Sequence, residues 1–159
     1  VMIYACGTPP IDMLDAEAEG LHNRRGTEIT RSLAIGAGRD INVHVGFSPR
    51  DVAAAMRGPN GTYDLALIDG KHSYRQMIAD FFGIRKALGP APVVILHDIG
   101  AFCMWDAVRK LLRAQPDAQF HAFEGRWTKN RLGMGFLHWG FPAGTFDGFG
   151  PTLGPLRPT

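Results

Sequence analysis

The chain has 159 residues, 45% of them hydrophobic, which suits one domain with a real core and excludes disorder throughout. Seventeen Lys and Arg against fifteen Asp and Glu give a formal charge of +2, too small and too dispersed to point to nucleic acid or an anionic membrane surface as a partner. Two cysteines, Cys6 and Cys103, make neither a disulfide framework nor a structural zinc site, and the apolar opening Val1–Cys6 is too short for a signal peptide or a membrane span; a soluble, cytoplasmic protein is expected.

In chain order, Val1–Cys6 is apolar and β-prone and is stopped by Gly7-Thr8-Pro9-Pro10, which predicts a strand. Residues Ile11 to about Ala34 carry Leu14, Ala18 and Leu21 at helical spacing, which predicts one helix or two. Ile41-Asn42-Val43-His44-Val45 alternates as a half-covered strand does, with His44 pointing away from the apolar face. Ser48-Pro49-Arg50-Asp51 reads as a helix start with Ser48 as cap and Pro49 in the first position, the helix running to about Arg57. Gly58-Pro59-Asn60-Gly61 then turns the chain.

Tyr63–Asp69 and Pro92–Asp98 are short apolar runs without alternation, as in strands covered on both faces. Between them Tyr74, Met77, Ile78, Phe81, Phe82 and Leu88 form a helical apolar stripe from Ser73 to Leu88, ended by Gly89-Pro90. Strand, helix and strand in that order predict a parallel pair with a right-handed crossover. A further helix is expected from about Met104 to Ala114, with Trp105, Val108 and Leu112 on one face, and an antiparallel hairpin from Gln119–Phe123 and Leu132–Trp139. The fold class is α/β: a Rossmann-like, mostly parallel sheet with flanking helices and a C-terminal antiparallel hairpin. One domain over residues 1–139 precedes an irregular Gly/Pro-rich tail, 140–159.

Parallel strands point the same way, and open α/β sheets bind ligands beyond their carboxyl ends. Asp69, His72, His97 and Asp98 should therefore gather at one rim. Neighbouring strands lie about 5 Å apart, so two carboxylates at their ends can share one hard divalent cation. His72, just beyond Asp69, would take a proton from a substrate hydroxyl held there. His97 is either a further ligand, a group that orients Asp98, or a cap on backbone groups. Arg126, Trp127, Lys129 and Arg131 read as a solvated loop, Cys6 as core filler, and Phe47 and Ser48 as neighbours of an adenine or, for Ser48, a helix cap.

The stretch Tyr63-Asp64-Leu65-Ala66-Leu67-Ile68-Asp69-Gly70-Lys71-His72-Ser73-Tyr74, the later Asp80-Phe81, and Val93-Val94-Ile95-Leu96-His97-Asp98 resemble the class I S-adenosylmethionine-dependent methyltransferases. More narrowly they resemble the metal-dependent O-methyltransferases of sugars and small metabolites, with a D-G-x-H-S/T-Y segment followed by a histidine–aspartate or acidic–aspartate pair. Leu132-Gly133-Met134-Gly135-Phe136-Leu137 resembles that family's last strand, so the likeness runs from about Ile41 to Trp139. It implies S-adenosylmethionine as cofactor, a Mg2+-like divalent cation on Asp69, His97 and Asp98, His72 as general base, and Asp69 also on the cofactor side, with Ser48.

The N-terminal stretch departs from the family's pattern. If Ile3–Pro10 stands for the glycine-rich turn, Ile3 replaces its acid, Ala5 its first glycine and Pro9 its last, leaving Gly7 as the cofactor-side residue. If Val1–Gly7 is the family's second strand, Asp12 is the acid for the ribose hydroxyls and the first strand is missing. The expected function is O-methyl transfer to a small-molecule acceptor. The alternatives are a methyltransferase-like binding or assembly module without catalysis, a portion of a larger enzyme, or an unrelated small α/β hydrolase or binding protein, although no G-x-S-x-G or P-loop pattern is present. Missing core surface makes a homo-oligomer an expectation.

Overall fold

The computed structural model describes residues 11–16, 25–57, 63–100, 104–123, 133–142 and 144–145, in two compact units that divide between Pro59 and Asn60. The expected strand Val1–Cys6, Gly7, the turn 58–61, Cys103, the loop 124–131 and most of the 140–159 tail lie outside the described residues.

In the N-terminal unit, β1 (Ile11–Asp15) pairs in parallel with β2 (Ile41–Val45), in register from Ile11 opposite Ile41 to Asp15 opposite Val45. The crossover carries α1 (Arg25–Gly36), which buries Thr27, Thr30 and Ala34 at three- and four-residue spacings and exposes Ile29, Leu33 and Ile35. The helix expected from Ile11 to Ala34 is thus corrected: its first five residues are strand. Leu14, Ala18 and Leu21 have helical spacing, but the hydrogen-bonding partners offered by β2 decide the backbone, as tertiary pairing routinely overrides local propensity.

The helix start at Ser48 is corrected too. The Ser48–Pro49 peptide is cis, residues 48–51 form a turn, and α2 is the short Val52–Ala55 with Asp51 at its N-cap position. Asp51 makes no capping bond there; its Oδ2 accepts the Phe47 N–H at 2.7 Å and the Arg50 guanidinium at 2.7 Å, folding the turn back on itself. Those two contacts, Arg50 first, pull the Asp51 carboxyl down to about 2.

In the C-terminal unit, β3 (Tyr63–Ile68), α3 (Tyr74–Ile84) and β4 (Leu88–His97) form the expected parallel strand–helix–strand. α3 stops four residues short of Leu88, because Leu88-Gly89-Pro90 belongs to β4: the Tyr63 N–H donates to Ala87 O at 3.1 Å and Tyr63 pairs with Leu88. After α4 (Met104–Ala114), β5 (Gln119–Phe123) and β6 (Met134–His138) make the antiparallel hairpin, in the sheet order β3-β4-β6-β5.

One sheet face, with Ala66, Ile68, Val94, Leu96, Phe120, Ala122 and Leu137, meets α3 and α4. Met77 and Phe81 of α3 and Met104, Ala107, Val108, Leu111 and Leu112 of α4 fill that core, while Tyr74 and Phe82 remain exposed. Gly135 lets Phe120 lie flat on β6, since a Cβ there would overlap the ring. Parallel pairs with an antiparallel hairpin at one edge agree with the α/β class read from the sequence. Among the described residues, no helix is long and apolar enough to cross a membrane.

Candidate active site

The site grows from the carboxyl ends of β3 and β4, which are hydrogen-bonded neighbours, Ile68 opposite Leu96. Asp69 is the first residue past β3. A tight turn follows, closed by Ser73 N–H donating to Lys71 O at 2.7 Å, and Ser73 caps α3 by accepting the Gln76 N–H at 3.3 Å. This brings His72 back over the strand end.

On β4, His97 is the last strand residue, and Asp98 leaves the strand in a left-handed conformation, φ 53°. Aspartate tolerates that region better than most residues. The buried Ile99 then pins the chain to the core.

The four rim residues converge as the sequence implies. His72 Nε2 lies 3.3 Å from Asp69 Oδ1 and 3.3 Å from Asp98 Oδ2. His97 Nδ1 lies 2.9 Å from Asp69 Oδ1 and 3.2 Å from Asp98 Oδ1. Both rings thus contact both carboxylates. The Asp98 side chain is 9% exposed, and its ion-pair partners among the described residues are the two histidines, with no Lys or Arg among them.

That donor set fits a divalent cation. One ligand atom each from Asp69, His72 and His97 lies within 4.8 Å of the others. His97 Nδ1 is buried and, among the described residues, makes no hydrogen bond: it stands beside the carboxylate oxygens at short range but not in line with them. A cation between the groups would satisfy that nitrogen. Oxygen donors alone would suit Mg2+, and an added imidazole also suits Mn2+ or a later first-row metal.

The other sequence candidates belong to the N-terminal unit. Asp12 sits within β1 rather than at its carboxyl end, with its side chain 2% exposed and committed to structure. It accepts the Arg57 backbone N–H at 2.9 Å, Arg57 Nε at 2.6 Å and Asn42 Nδ2 at 3.2 Å. Arg57 also reaches Asp40 at 2.8 Å; that contact first, then Asp12, raises its already high proton affinity. Asp12 is a staple between β1 and the segment after α2. Ser48 stands in the turn that follows β2.

Sequence reasoning missed Asp15, the acid at the carboxyl end of β1. Ile11-Asp12-Met13-Leu14-Asp15 has the signature of a short strand ending in a carboxylate, hidden by the helical spacing that overlaps it.

The family model for the methyltransferase domain matches residues 8–99, a span that holds β1 to β4 and every rim residue. The chain belongs to the methyltransferase domain family. Solved structures agree on the fold. An O-methyltransferase from Bacillus cereus, in complex with SAH, superposes with a TM-score of 0.61 at 16% identity, over 82% of this chain and 74% of its own. TomG, an O-methyltransferase from Streptomyces achromogenes involved in tomaymycin synthesis and solved with SAM, gives a TM-score of 0.61 at 16% identity, over 81% and 60%. A protein from Corynebacterium glutamicum gives 0.53 at 15% identity, again over 81% and 60%. The methyltransferase therefore spans about three quarters of the first neighbour's length and less than two thirds of the other two. No curated protein sequence matches it significantly. Its fold is that of the class I S-adenosylmethionine-dependent methyltransferases.

Proposed function

We propose that this methyltransferase moves the methyl group of S-adenosylmethionine to a hydroxyl of a sugar or small metabolite, with a divalent cation at the rim and His72 as general base. The observation that carries the reading is the convergence of two carboxylates and two imidazoles beyond the ends of adjacent parallel strands. The family match and the structural neighbours, one solved with SAH and one with SAM, support the cofactor.

Asp69, Asp98 and His97 would hold the cation, which when bound would supply positive charge against the developing alkoxide. His72 Nε2, within 3.3 Å of both carboxylates, is kept facing the same point and takes the acceptor's hydroxyl proton. The acceptor oxygen then bonds to the methyl carbon as the carbon–sulfur bond breaks. The bonding pair stays on sulfur, leaving S-adenosylhomocysteine and the methyl ether. Alignment of the oxygen with the carbon–sulfur bond carries most of the remaining barrier reduction. In the N-terminal unit, we assign the ribose-binding carboxylate to Asp15, which ends β1, in place of Asp12.

The test is methyl transfer from labelled S-adenosylmethionine to a panel of hydroxylated small molecules, with and without Mg2+ or Mn2+. His72→Ala should lower kcat by about 10²–10⁴-fold, the usual worth of a positioned base, while Mn2+ still binds. Loss of Mn2+ binding in that variant would instead make His72 a ligand, the role its place in the ligand triad also permits. A folded protein that binds neither S-adenosylmethionine nor S-adenosylhomocysteine by calorimetry would refute the catalytic reading and favour a binding module.

A further inference from the structure

Among the described residues of the C-terminal unit, the buried ionisable residues are Asp80, Asp98 and His138. Asp98 belongs to the rim. Asp80, in the middle of α3 and 5% exposed, has no part in the chemistry above. Burying a carboxylate is unfavourable unless it is hydrogen-bonded, so its position calls for a physical account.

One of its oxygens is tied within the helix: Gln76 Nε2 donates to Oδ1 at 2.7 Å. The other reaches the rim loop, because Oδ2 lies 3.0 Å from the point where a Cβ on Gly70 would stand. Gly70 follows Asp69 and precedes Lys71 and His72, so the absence of a side chain there lets the carboxylate lie against the backbone of the loop that carries both rim residues.

Gln76 closes the arrangement. Ser73-Tyr74-Arg75-Gln76 has the spacing of a capping box, in which the glutamine side chain would return to the Ser73 N–H. Here the Ser73 N–H donates to Lys71 O, and the Gln76 amide donates to Asp80. The backbone N–H of Gln76 still holds Ser73 Oγ at 3.3 Å. The contacts run from Ser73 to Gln76 to Asp80 to Gly70, a ring around the loop that ends at His72.

We propose that Asp80 is a positioning residue which, through Gln76 and Gly70, fixes the loop Asp69–Ser73 and thereby holds His72 at its distance from the Asp69 and Asp98 carboxylates. This rests on the reading of the rim as a methyl-transfer site, but its geometric part can be measured without turnover. The His72 and His97 rings have centroids 6.2 Å apart, which permits a nuclear Overhauser contact between their protons.

In the wild type that contact should be present. Asp80→Ala should lose it and weaken binding of Mn2+ alone by about 10-fold, the low end for removing a group behind a metal ligand. Asp80→Asn keeps an acceptor for Gln76 and the shape beneath Gly70, and should restore both. A contact and an Mn2+ affinity that survive in a folded Asp80→Ala overturn the proposal, as does a wild type without the contact. Should Asp80→Ala not fold, Gln76→Leu cuts the tie alone: loss of the ring contact supports the proposal, and retention overturns it. A wild type that shows the contact but binds no Mn2+ overturns the metal reading, while the loss of the contact in Asp80→Ala still upholds the role of Asp80.

Discussion

Between pH 6.5 and about 4, acidification should act on this protein through His138. It ends β6 fully buried, with the His121 ring of β5 stacked on it at 5.2 Å and 19°, the Phe141 ring edge-on at 5.6 Å, and Val93 and Gln119 as its register neighbours on β4 and β5. Burial, and then the charge of His121, push the His138 imidazole from 6.5 down to about 4. In the unfolded chain it takes up its proton near 6.5, while the folded chain refuses it until about 4. Between those values the unfolded state binds more protons, so stability falls as the pH drops through that window and is unaffected by this group above it. At about 1.4 kcal/mol for each tenfold change in proton affinity, the loss is about 3 kcal/mol, a large share of the roughly 5–15 kcal/mol that holds a domain together. Urea melts of wild type and His138→Phe at pH 7.5, 5.5 and 4 would measure it. Phenylalanine keeps an aromatic ring against His121 and Phe141 without the titration. The stability difference between the two proteins should therefore shift by about 3 kcal/mol in favour of the variant across the series. Parallel losses in both proteins would refute the assignment.

The remaining predictions concern the rim and the packing around it. Asp98→Asn, which keeps the left-handed backbone accessible but removes the charge, should lower affinity for Mn2+ alone at least 10-fold with little change in melting temperature; isothermal titration checks both the loss and the residual site. Arg57→Ala strips the nearly buried Asp12 carboxylate of its guanidinium partner and should destabilise the N-terminal unit by about 3 kcal/mol, whereas Arg57→Lys should recover only part of that because an ammonium cannot reach Asp12, Asp40 and the Ile11 carbonyl together; denaturant melts followed by amide exchange in β1 would show it. Gly135→Ala forces a methyl into the Phe120 ring and should cost about 1–3 kcal/mol in a thermal melt, with methyl transfer falling only in proportion to the folded fraction.

The C-terminal unit was legible because its signals are local and mutually consistent. Tyr63–Ile68 and Val93–His97 are apolar runs that end in Asp69 and Asp98, and Ser73 stands where a helix must be capped, so the rim followed from connectivity alone. The N-terminal unit was not, because β1 owes its conformation to β2, a partner that no local window contains. Asp12 looked available as a ligand-binding acid only while Arg57 was not known to reach it. Likewise Leu88 fits the apolar stripe of α3, and only its pairing with Tyr63 assigns it to β4. Burial of Asp80 against Gly70 has no sequence signature beyond the presence of both residues.

β4 is paired along both edges, to β3 through Val93–Leu96 and to β6 through Val93–His97. A strand gripped on both sides opens only with its neighbours. His97 and Asp98 therefore stand at the end of a strand that cannot move alone, and Asp69 and His72 follow the end of the strand laddered to it. Anything that bridges Asp69 to Asp98 would add a rivet beyond the last rung of that ladder, and its imprint would appear as slowed amide exchange at the carboxyl ends of β3 and β4.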